Sequence, residues 1–141
     1  NKTDLLLYLS SRSENVDQLK KNFRKKIILI DRFIDSTIAY QHYGMGLSKD
    51  LINLINKNLL GQFKIDFTFL NIVNSKNMIK RLKLRKSLNR YDSFNKKFYE
   101  KVQNGFLKLA KNNKKKYQII DSNLDIRNNE IKIINKIIKI I

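Results

Sequence analysis

The chain has 141 residues and carries 30 Lys and Arg against 12 Asp and Glu, for a formal net charge of +18. This length allows one domain with a buried core, and the absence of Cys excludes a disulfide framework and a thiolate metal site. The sequence shows neither a signal-peptide pattern nor the ~20 consecutive apolar residues that a membrane-spanning helix needs. We therefore expect a cytoplasmic protein with no membrane partner.

The positive charge is spread along the whole chain, together with abundant Asn and Ile. This distribution is typical of a genome biased toward A and T, and it lacks the basic arm or patch of a nucleic-acid-binding protein. Composition therefore argues against nucleic acid as a partner. A non-catalytic basic nucleic-acid-binding protein is kept as an alternative.

The first half of the chain predicts three helices and one buried strand. Apolar spacing predicts a helix from Asp4 to Phe23, and a β-branched run predicts a strand at 27–30. A second helix is expected from Ser36 to Tyr43. Ser48 as N-cap and Gly61 as the terminating residue are typical of a third helix between them.

The second half predicts two more strands and three more helices. In chain order they are a strand at Phe67–Val73, a helix at 76–86 capped by Ser75, a loop at 87–92, a helix at Ser93–Lys111, a strand at Tyr117–Ile120, and a final helix with Ile131, Ile134, Ile138 and Ile141 on one face. Strands that alternate with helices indicate a parallel sheet covered by helices on both faces.

Polar side chains follow the first and last predicted strands. In parallel sheets, ligands bind at the carboxyl ends of the strands, so Asp31-Arg32 and Asp121-Ser122 are expected at the functional edge. A carboxylate such as Asp31 can hold a magnesium ion, directly or through water, and the guanidinium of Arg32 fits phosphate oxygens. A simple surface ion pair is the alternative for these two neighbours.

Two segments carry a resemblance to a known family. The stretch from Asp31-Arg32-Phe33 to Ala39-Tyr40-Gln41, followed by Gly44-Met45-Gly46, closely resembles the segment that marks thymidylate kinases. Tyr8 and Arg12 resemble the aromatic and Arg that hold the thymine ring in that family. Because residues i and i+4 share a helix face, one can stack on a base while the other bonds its edge.

The resemblance implies a fold and an activity. The expected fold is a three-layer, P-loop nucleoside monophosphate kinase-like α/β domain, with a parallel sheet between helices and with the first strand and P-loop helix missing from 1–141. The expected activity is transfer of the γ-phosphoryl group of ATP to dTMP, giving dTDP for dTTP biosynthesis. Its partners would be dTMP and ATP with Mg²⁺, in a homodimer when full length. Another nucleoside or nucleotide kinase of the same fold is the alternative.

The resemblance also implies roles for individual residues. Predicted catalytic residues are Asp31, Arg32, Arg85 and Arg90, with Asp31 as an indirect Mg²⁺ ligand. Predicted dTMP-binding residues are Tyr8, Arg12, Arg32, Ser36, Thr37, Tyr40 and Gln41. Predicted ATP-binding residues are Arg85, Arg90, Asp121 and Ser122, with a lid at about 82–95. Three positions depart from the family pattern: Ile65, Lys86 and Asn89.

The sequence contains no G-x-x-x-x-G-K-[ST], the loop whose backbone N–H groups hold nucleotide phosphates. The stretch 1–141 is therefore interpreted as a partial thymidylate kinase-like domain that does not turn over ATP on its own. We also expect exposed apolar surface where the absent segment would pack.

Overall fold

The computed structural model describes residues 2–23, 25–87 and 90–141. Within these ranges the helices are α1 (Lys2–Lys20), α2 (Ile34–Thr37), α3 (Lys49–Leu60), α4 (Ser75–Lys83), α5 (Lys96–Asn112) and α6 (Ile126–Ile138), and the strands are β1 (Thr68–Ile72) and β2 (Tyr117–Asp121). A π-helix at Ile38–Gly44 continues α2, and short 3₁₀ turns lie at Arg90–Ser93 and Lys114–Lys116.

The sheet of the described residues is parallel, as the sequence predicts. Thr68 of β1 lies opposite Tyr117 of β2, and the register runs on to Ile72 opposite Asp121. Helices α4 and α5 form the crossover between the two strands, and α5 packs against both of them. The alternating pattern thus gives the arrangement expected of a β-α-β connection.

Side chains at the helix starts explain most of the helix boundaries. Ser48 accepts a hydrogen bond from the backbone N–H of Leu51, so α3 begins and ends where predicted. The prediction that Ser75 caps α4 is wrong, because Asn74 is the capping residue, accepting from the N–H of Asn77 at 2.8 Å. Helix α4 also ends earlier than predicted, at Lys83 instead of residue 86.

The predicted strand at 27–30 does not form among the described residues. A parallel strand exists only through hydrogen bonds to a neighbouring strand, and β1 pairs with β2 alone. The side chains of Ile27 and Leu29 are 66% and 82% exposed. The apolar pattern therefore predicts a strand that has no hydrogen-bonded neighbouring strand among the described residues.

Helix α5 and the π-helix approach each other closely. A methyl group at Gly105 would lie 2.5 Å from a ring atom of Tyr43, and one at Gly44 would lie 2.7 Å from the ring of Phe98. Both glycines are needed for close approach, since real Cβ atoms do not come this near to ring atoms. This packing fixes the π-helix, which carries Tyr40 and other residues predicted to bind dTMP.

The isoleucine face predicted for the last helix is largely exposed. Ile131, Ile134 and Ile138 of α6 are 50%, 47% and 69% exposed, and Ile141 beyond it is 76% exposed. This helix therefore exposes apolar surface among the described residues, and whether a further segment packs there stays a prediction. An apolar helix face of this kind is stabilised only when another element covers it.

Candidate functional site

A cleft of about 1440 Å³ opens between α1, residues 29–33, the π-helix, β1 and the segment around the 3₁₀ turn at Arg90–Ser93. It brings together ten of the residues for which the sequence predicts a role: Tyr8, Arg12, Asp31, Arg32, Ser36, Thr37, Tyr40, Gln41, Arg85 and Arg90. These residues come from positions spread over more than 80 residues of sequence, and the fold places them around one space.

Helix α1 supplies one wall of the cleft through Tyr8 and Arg12. The ring of Tyr8 is 45% exposed and lies 6.3 Å from the ring of Tyr91. The guanidinium of Arg12 is nearly buried and donates hydrogen bonds to Oδ1 of Asn56 and to the backbone oxygen of Phe33, both at 3.2 Å. The aromatic side chain is thus available to a ligand, while the Arg is fixed from behind.

The surroundings of Arg12 include one carboxylate without a direct bond to it. Burial lowers the pKa of Arg12 from its ordinary value, and the charge of Asp35 opposes that change. Burial also raises the pKa of Asp35 above the ordinary carboxyl value, while a hydrogen bond from the hydroxyl of Tyr117 and the charge of Arg12 lower it. Tyr117 on β2 is thereby connected to the floor of the cleft.

Arg32 occupies an unusual backbone conformation at the opposite side of the cleft. Its φ is +61°, in the left-handed region that residues with a Cβ rarely adopt. Its guanidinium carbon lies 5.3 Å from the centre of the Tyr40 ring, and Nη2 lies 3.4 Å from the Tyr40 hydroxyl. The preceding Asp31 is exposed at the same edge.

The floor of the cleft is formed where α2 passes into the π-helix. Thr37 and Gln41 are each only 2% exposed, and Nε2 of Gln41 donates to the hydroxyl of Tyr91 at 3.3 Å. Ser36 lies beside them and lines the same space. π-Helical turns are often found at functional sites, and this one sets Tyr40 and Gln41 side by side at the cleft.

Both predicted lid arginines are paired with carboxylates. Arg85 donates to Oδ1 and Oδ2 of Asp92 at 2.8 and 2.9 Å, and Arg90 donates to Oδ1 of Asp4 at 2.8 Å. The pair of Arg90 with Asp4 joins the lid segment to α1, because Asp4 lies on that helix four residues before Tyr8. Asn89, which departs from the family pattern, lies outside the described residues.

Comparison with known proteins gives the family. A family model described as thymidylate kinase matches residues 1–133. The chain is 42% identical to a thymidylate kinase of Trichodesmium erythraeum over 113 residues, which cover 79% of this chain and 50% of that protein. It is 36% identical to a thymidylate kinase of Mycoplasma capricolum over 143 residues, covering 99% of this chain and 65% of the relative. The chain belongs to the thymidylate kinase family.

A solved structure of this family agrees with the fold. The thymidylate kinase of Ehrlichia chaffeensis is similar with a TM-score of 0.73 at 28% identity, covering 96% of this chain and 65% of that one. The protein therefore has the α/β, P-loop kinase-like fold with a parallel sheet and packed helices. It spans about half to two thirds of the length of these thymidylate kinases.

Two residues predicted to bind ATP do not line the cleft of this thymidylate kinase family member. Ser122 lies just after β2, where its backbone oxygen accepts a hydrogen bond from Arg81 at 2.6 Å and its N–H donates to Ile72. Oδ1 of Asp121 accepts hydrogen bonds from Asn123. Both side chains are placed in a turn tied to the start of α4, and their predicted role in ATP binding stays a prediction.

The structure adds residues that sequence reasoning did not single out. Tyr91 contacts the rings of Tyr8 and Tyr40, and Tyr99 donates from its hydroxyl to the backbone oxygen of Tyr91. Burial raises the pKa of both Tyr91 and Tyr99, so both are neutral hydroxyls at ordinary pH. Asn56 is a third addition. No local signal marks these residues, because their roles depend on contacts between distant elements.

The donor set for magnesium is small. The described residues contain no group of three or more His, Cys, Asp or Glu that could hold a metal ion. Mg²⁺ is usually bound by one or two carboxylates together with waters and substrate phosphates. The exposed carboxylate of Asp31 at the edge of the cleft fits that pattern.

No helix in the described part of the chain is both long enough and apolar enough to cross a membrane.

Proposed function

We propose that the protein containing this chain transfers the γ-phosphoryl group of ATP to the 5′-phosphate of dTMP and releases dTDP. The observation that carries this proposal is the convergence of Tyr8, Arg12 and Arg32 on one cleft in a member of the thymidylate kinase family. An aromatic ring, a fixed guanidinium and an exposed guanidinium suit a ligand that has a base at one end and a phosphate at the other.

The acceptor would lie with its base toward α1. Tyr8 would stack on the thymine ring, and Arg12 would donate hydrogen bonds to its edge. Thr37 would offer a hydroxyl toward the ring, and Tyr40 would pack near the sugar, with Ser36 and Gln41 completing the pocket. This arrangement excludes water from the base and leaves the 5′-phosphate at the side of Arg32.

Arg32 would bind the acceptor phosphate and orient it for attack. Phosphoryl transfer depends on positioning and on offsetting the charge of both reacting groups, and Arg32 supplies a fork of donors at the edge of the cleft. Asp31 would hold Mg²⁺, which offsets phosphate charge when bound. Arg85 and Arg90 would exchange Asp92 and Asp4 for the phosphates of ATP.

We also propose that the protein acts in the cytoplasm as a homodimer, with the selectivity of its acceptor pocket favouring dTMP. A different nucleoside monophosphate kinase is the competing function, because Arg32, Asp31 and the lid arginines serve any acceptor phosphate. Tyr8, Arg12, Thr37 and Tyr40 favour dTMP, because together they would stack on a thymine ring, hydrogen-bond to its edge and pack near the sugar.

A coupled assay tests the proposal on the product of the complete gene. ADP formation is measured with ATP and, separately, dTMP, dUMP, dCMP and dGMP. We expect the highest kcat/KM with dTMP. Equal or higher kcat/KM with another monophosphate would assign the protein to a different acceptor, and absence of turnover with all four would contradict a kinase function.

A further inference from the structure

Asn56 lies behind the cleft, on α3, and its side chain is hydrogen-bonded to Arg12, which lines the cleft. Its side chain is 4% exposed, and it is not among the described residues that line the cleft. Its Oδ1 accepts a hydrogen bond from Nη1 of Arg12 across 44 residues of sequence. An effect of the Asn56 amide oxygen on a ligand therefore passes through the guanidinium of Arg12.

The guanidinium of Arg12 is held at two points by neutral acceptors. Nη1 bonds to the amide oxygen of Asn56, and Nη2 bonds to the backbone oxygen of Phe33. An Arg side chain has five N–H donors in a planar fork, so two bonds fix the plane and leave three donors. Neither acceptor carries a charge, so these two hydrogen bonds do not neutralise the positive charge of Arg12.

The amide nitrogen of Asn56 gives an independent indication that this side chain is not present for stability alone. Nδ2 is buried and has no hydrogen-bond partner among the described residues. A buried donor without a partner opposes folding, and an apolar residue of the same size would avoid that cost. The amide oxygen, by contrast, has a specific task, because it accepts from Arg12.

We propose that Asn56 is a positioning residue that sets the orientation of the Arg12 guanidinium, and through it the affinity for a pyrimidine nucleotide. This inference takes its ligand, dTMP, from the proposed function. The hydrogen bond between Arg12 and Asn56 does not depend on that function. A guanidinium held on one side by Asn56 and Phe33 presents its remaining donors in a fixed plane, which lowers the entropy lost when a ligand binds.

Binding and kinetics test the inference in the product of the complete gene. Asn56→Leu removes the acceptor while keeping the number and branching of the side-chain heavy atoms, and we expect the KM and Kd for dTMP to rise roughly tenfold, the scale of one hydrogen bond to a charged group. The KM for ATP and the kcat at saturating dTMP should change much less. Asn56→Asp restores an acceptor, so its dTMP affinity should lie between those of the wild type and Asn56→Leu.

A matched control comes from the same helix. Ile52 is fully buried one turn before Asn56 and has no hydrogen bond to Arg12 to lose. Ile52→Val perturbs the packing of α3 against Leu5 and Leu9 of α1 without removing an acceptor from Arg12, so we expect its dTMP affinity to stay near the wild-type value. An equal loss of dTMP affinity in Ile52→Val and Asn56→Leu would overturn the positioning role, because it would trace the loss to helix packing.

A second measurement is independent of catalysis. The chain contains seven Arg residues, so the guanidinium signals in ¹⁵N NMR can be assigned by single Arg→Lys variants. Rotation of the Arg12 guanidinium should be slow in the wild type, fast in Asn56→Leu and slow again in Asn56→Asp. Slow rotation in Asn56→Leu would overturn the inference. Failure of the wild type to bind dTMP would instead refute the proposed function and leave this result standing.

Discussion

Arg32 combines an exposed guanidinium with a backbone conformation that residues other than glycine rarely adopt. Strained conformations persist where the surrounding structure demands them, and they are concentrated at active sites. Here the conformation places the guanidinium over the ring of Tyr40, at the edge of the cleft. The strained residue thus lies at the edge of the cleft and is one for which a phosphate-binding role is predicted.

We expect Arg32→Ala to lower kcat/KM for dTMP by two to three orders of magnitude, corresponding to about 3–4 kcal/mol of transition-state stabilisation. The reason is the loss of a preorganised donor to a reacting phosphate. Steady-state kinetics with the product of the complete gene measures the effect. Arg127→Ala, which removes an exposed Arg from α6 outside the cleft, is the control and should retain wild-type kcat/KM. Unimpaired turnover by Arg32→Ala would contradict the role of Arg32.

Asp35 gives a prediction about pH. Because burial raises its pKa in the folded protein above the ordinary value of about 3.9, the folded state holds the proton more tightly than the unfolded state does. The stability that this proton contributes is complete below the unfolded-state pKa and is lost as pH rises through the folded-state pKa. Asp35→Asn removes this dependence, so the stability of the variant relative to the wild type should increase as pH rises through that window.

Denaturant unfolding of both proteins across a series of pH values measures this difference. A Tyr117→Phe variant provides the second arm. Removal of the hydroxyl that donates to Asp35 should raise the pKa of Asp35 further, and the pH window should move upward. A relative stability of Asp35→Asn that is flat with pH would contradict the raised pKa.

At the scale of elements, the contact between α5 and the π-helix determines where Tyr40 and Gln41 lie. Ala in place of Gly within a helix usually stabilises by about 1 kcal/mol. At Gly105 the added methyl would meet the Tyr43 ring at 2.5 Å, and overpacking of this kind costs about 1–3 kcal/mol. We therefore expect Gly105→Ala to lower the free energy of unfolding, measured in denaturant.

Asn104→Ala is the matched comparison for Gly105→Ala. Asn104 is the exposed neighbour on the same helix, so its replacement changes helix propensity without adding an atom to the contact. We expect Asn104→Ala to keep or raise stability. If Gly105→Ala were as stable as Asn104→Ala, the close approach of α5 to the π-helix would not hold in solution.

The elements that the sequence predicts well are those whose signals are local. Ser48 and Gly61 bound α3 because a cap and a terminating glycine act within one turn of the helix. The strand predicted at 27–30 fails because strand formation requires a hydrogen-bonded neighbour, which no local pattern can supply. Capping of α4 by Asn74 in place of Ser75 shows that adjacent polar residues compete for the same position.

Prediction of the candidate site shows the same difference between local signals and contacts of distant elements. Tyr8, Arg12 and Arg32 line the cleft, and the sequence predicts them because the resemblance that carries them lies within short segments. Asn56 and Tyr91 were not predicted, because the first acts through a bond to α1 and the second through ring contacts with two other elements. Short sequence motifs therefore indicate residues that line the cleft more readily than residues that hold them in place.

At the scale of the whole molecule, exposed apolar side chains lie in several regions, and two of these are rich in isoleucine. One is the segment with Ile27 and Leu29, and the other is the isoleucine face of α6. In addition, one edge of β1 has no strand partner among the described residues. Apolar patches and open strand edges are sites of association in proteins that expose them, and the net charge of +18 opposes self-association.

Residues 1–141 produced alone should form no dTDP from dTMP and ATP. The physical reason is the absence from this sequence of G-x-x-x-x-G-K-[ST], whose backbone N–H groups and Lys hold the transferring phosphates. Arg85 and Arg90 of the predicted lid would offset phosphate charge but would not replace the backbone donors and Lys of that loop. Chromatographic detection of dTDP is the measurement, with the product of the complete gene as the positive control and circular dichroism as the check that residues 1–141 are folded. Formation of dTDP by the folded 141-residue chain would contradict the prediction and require another phosphate-binding site within this sequence.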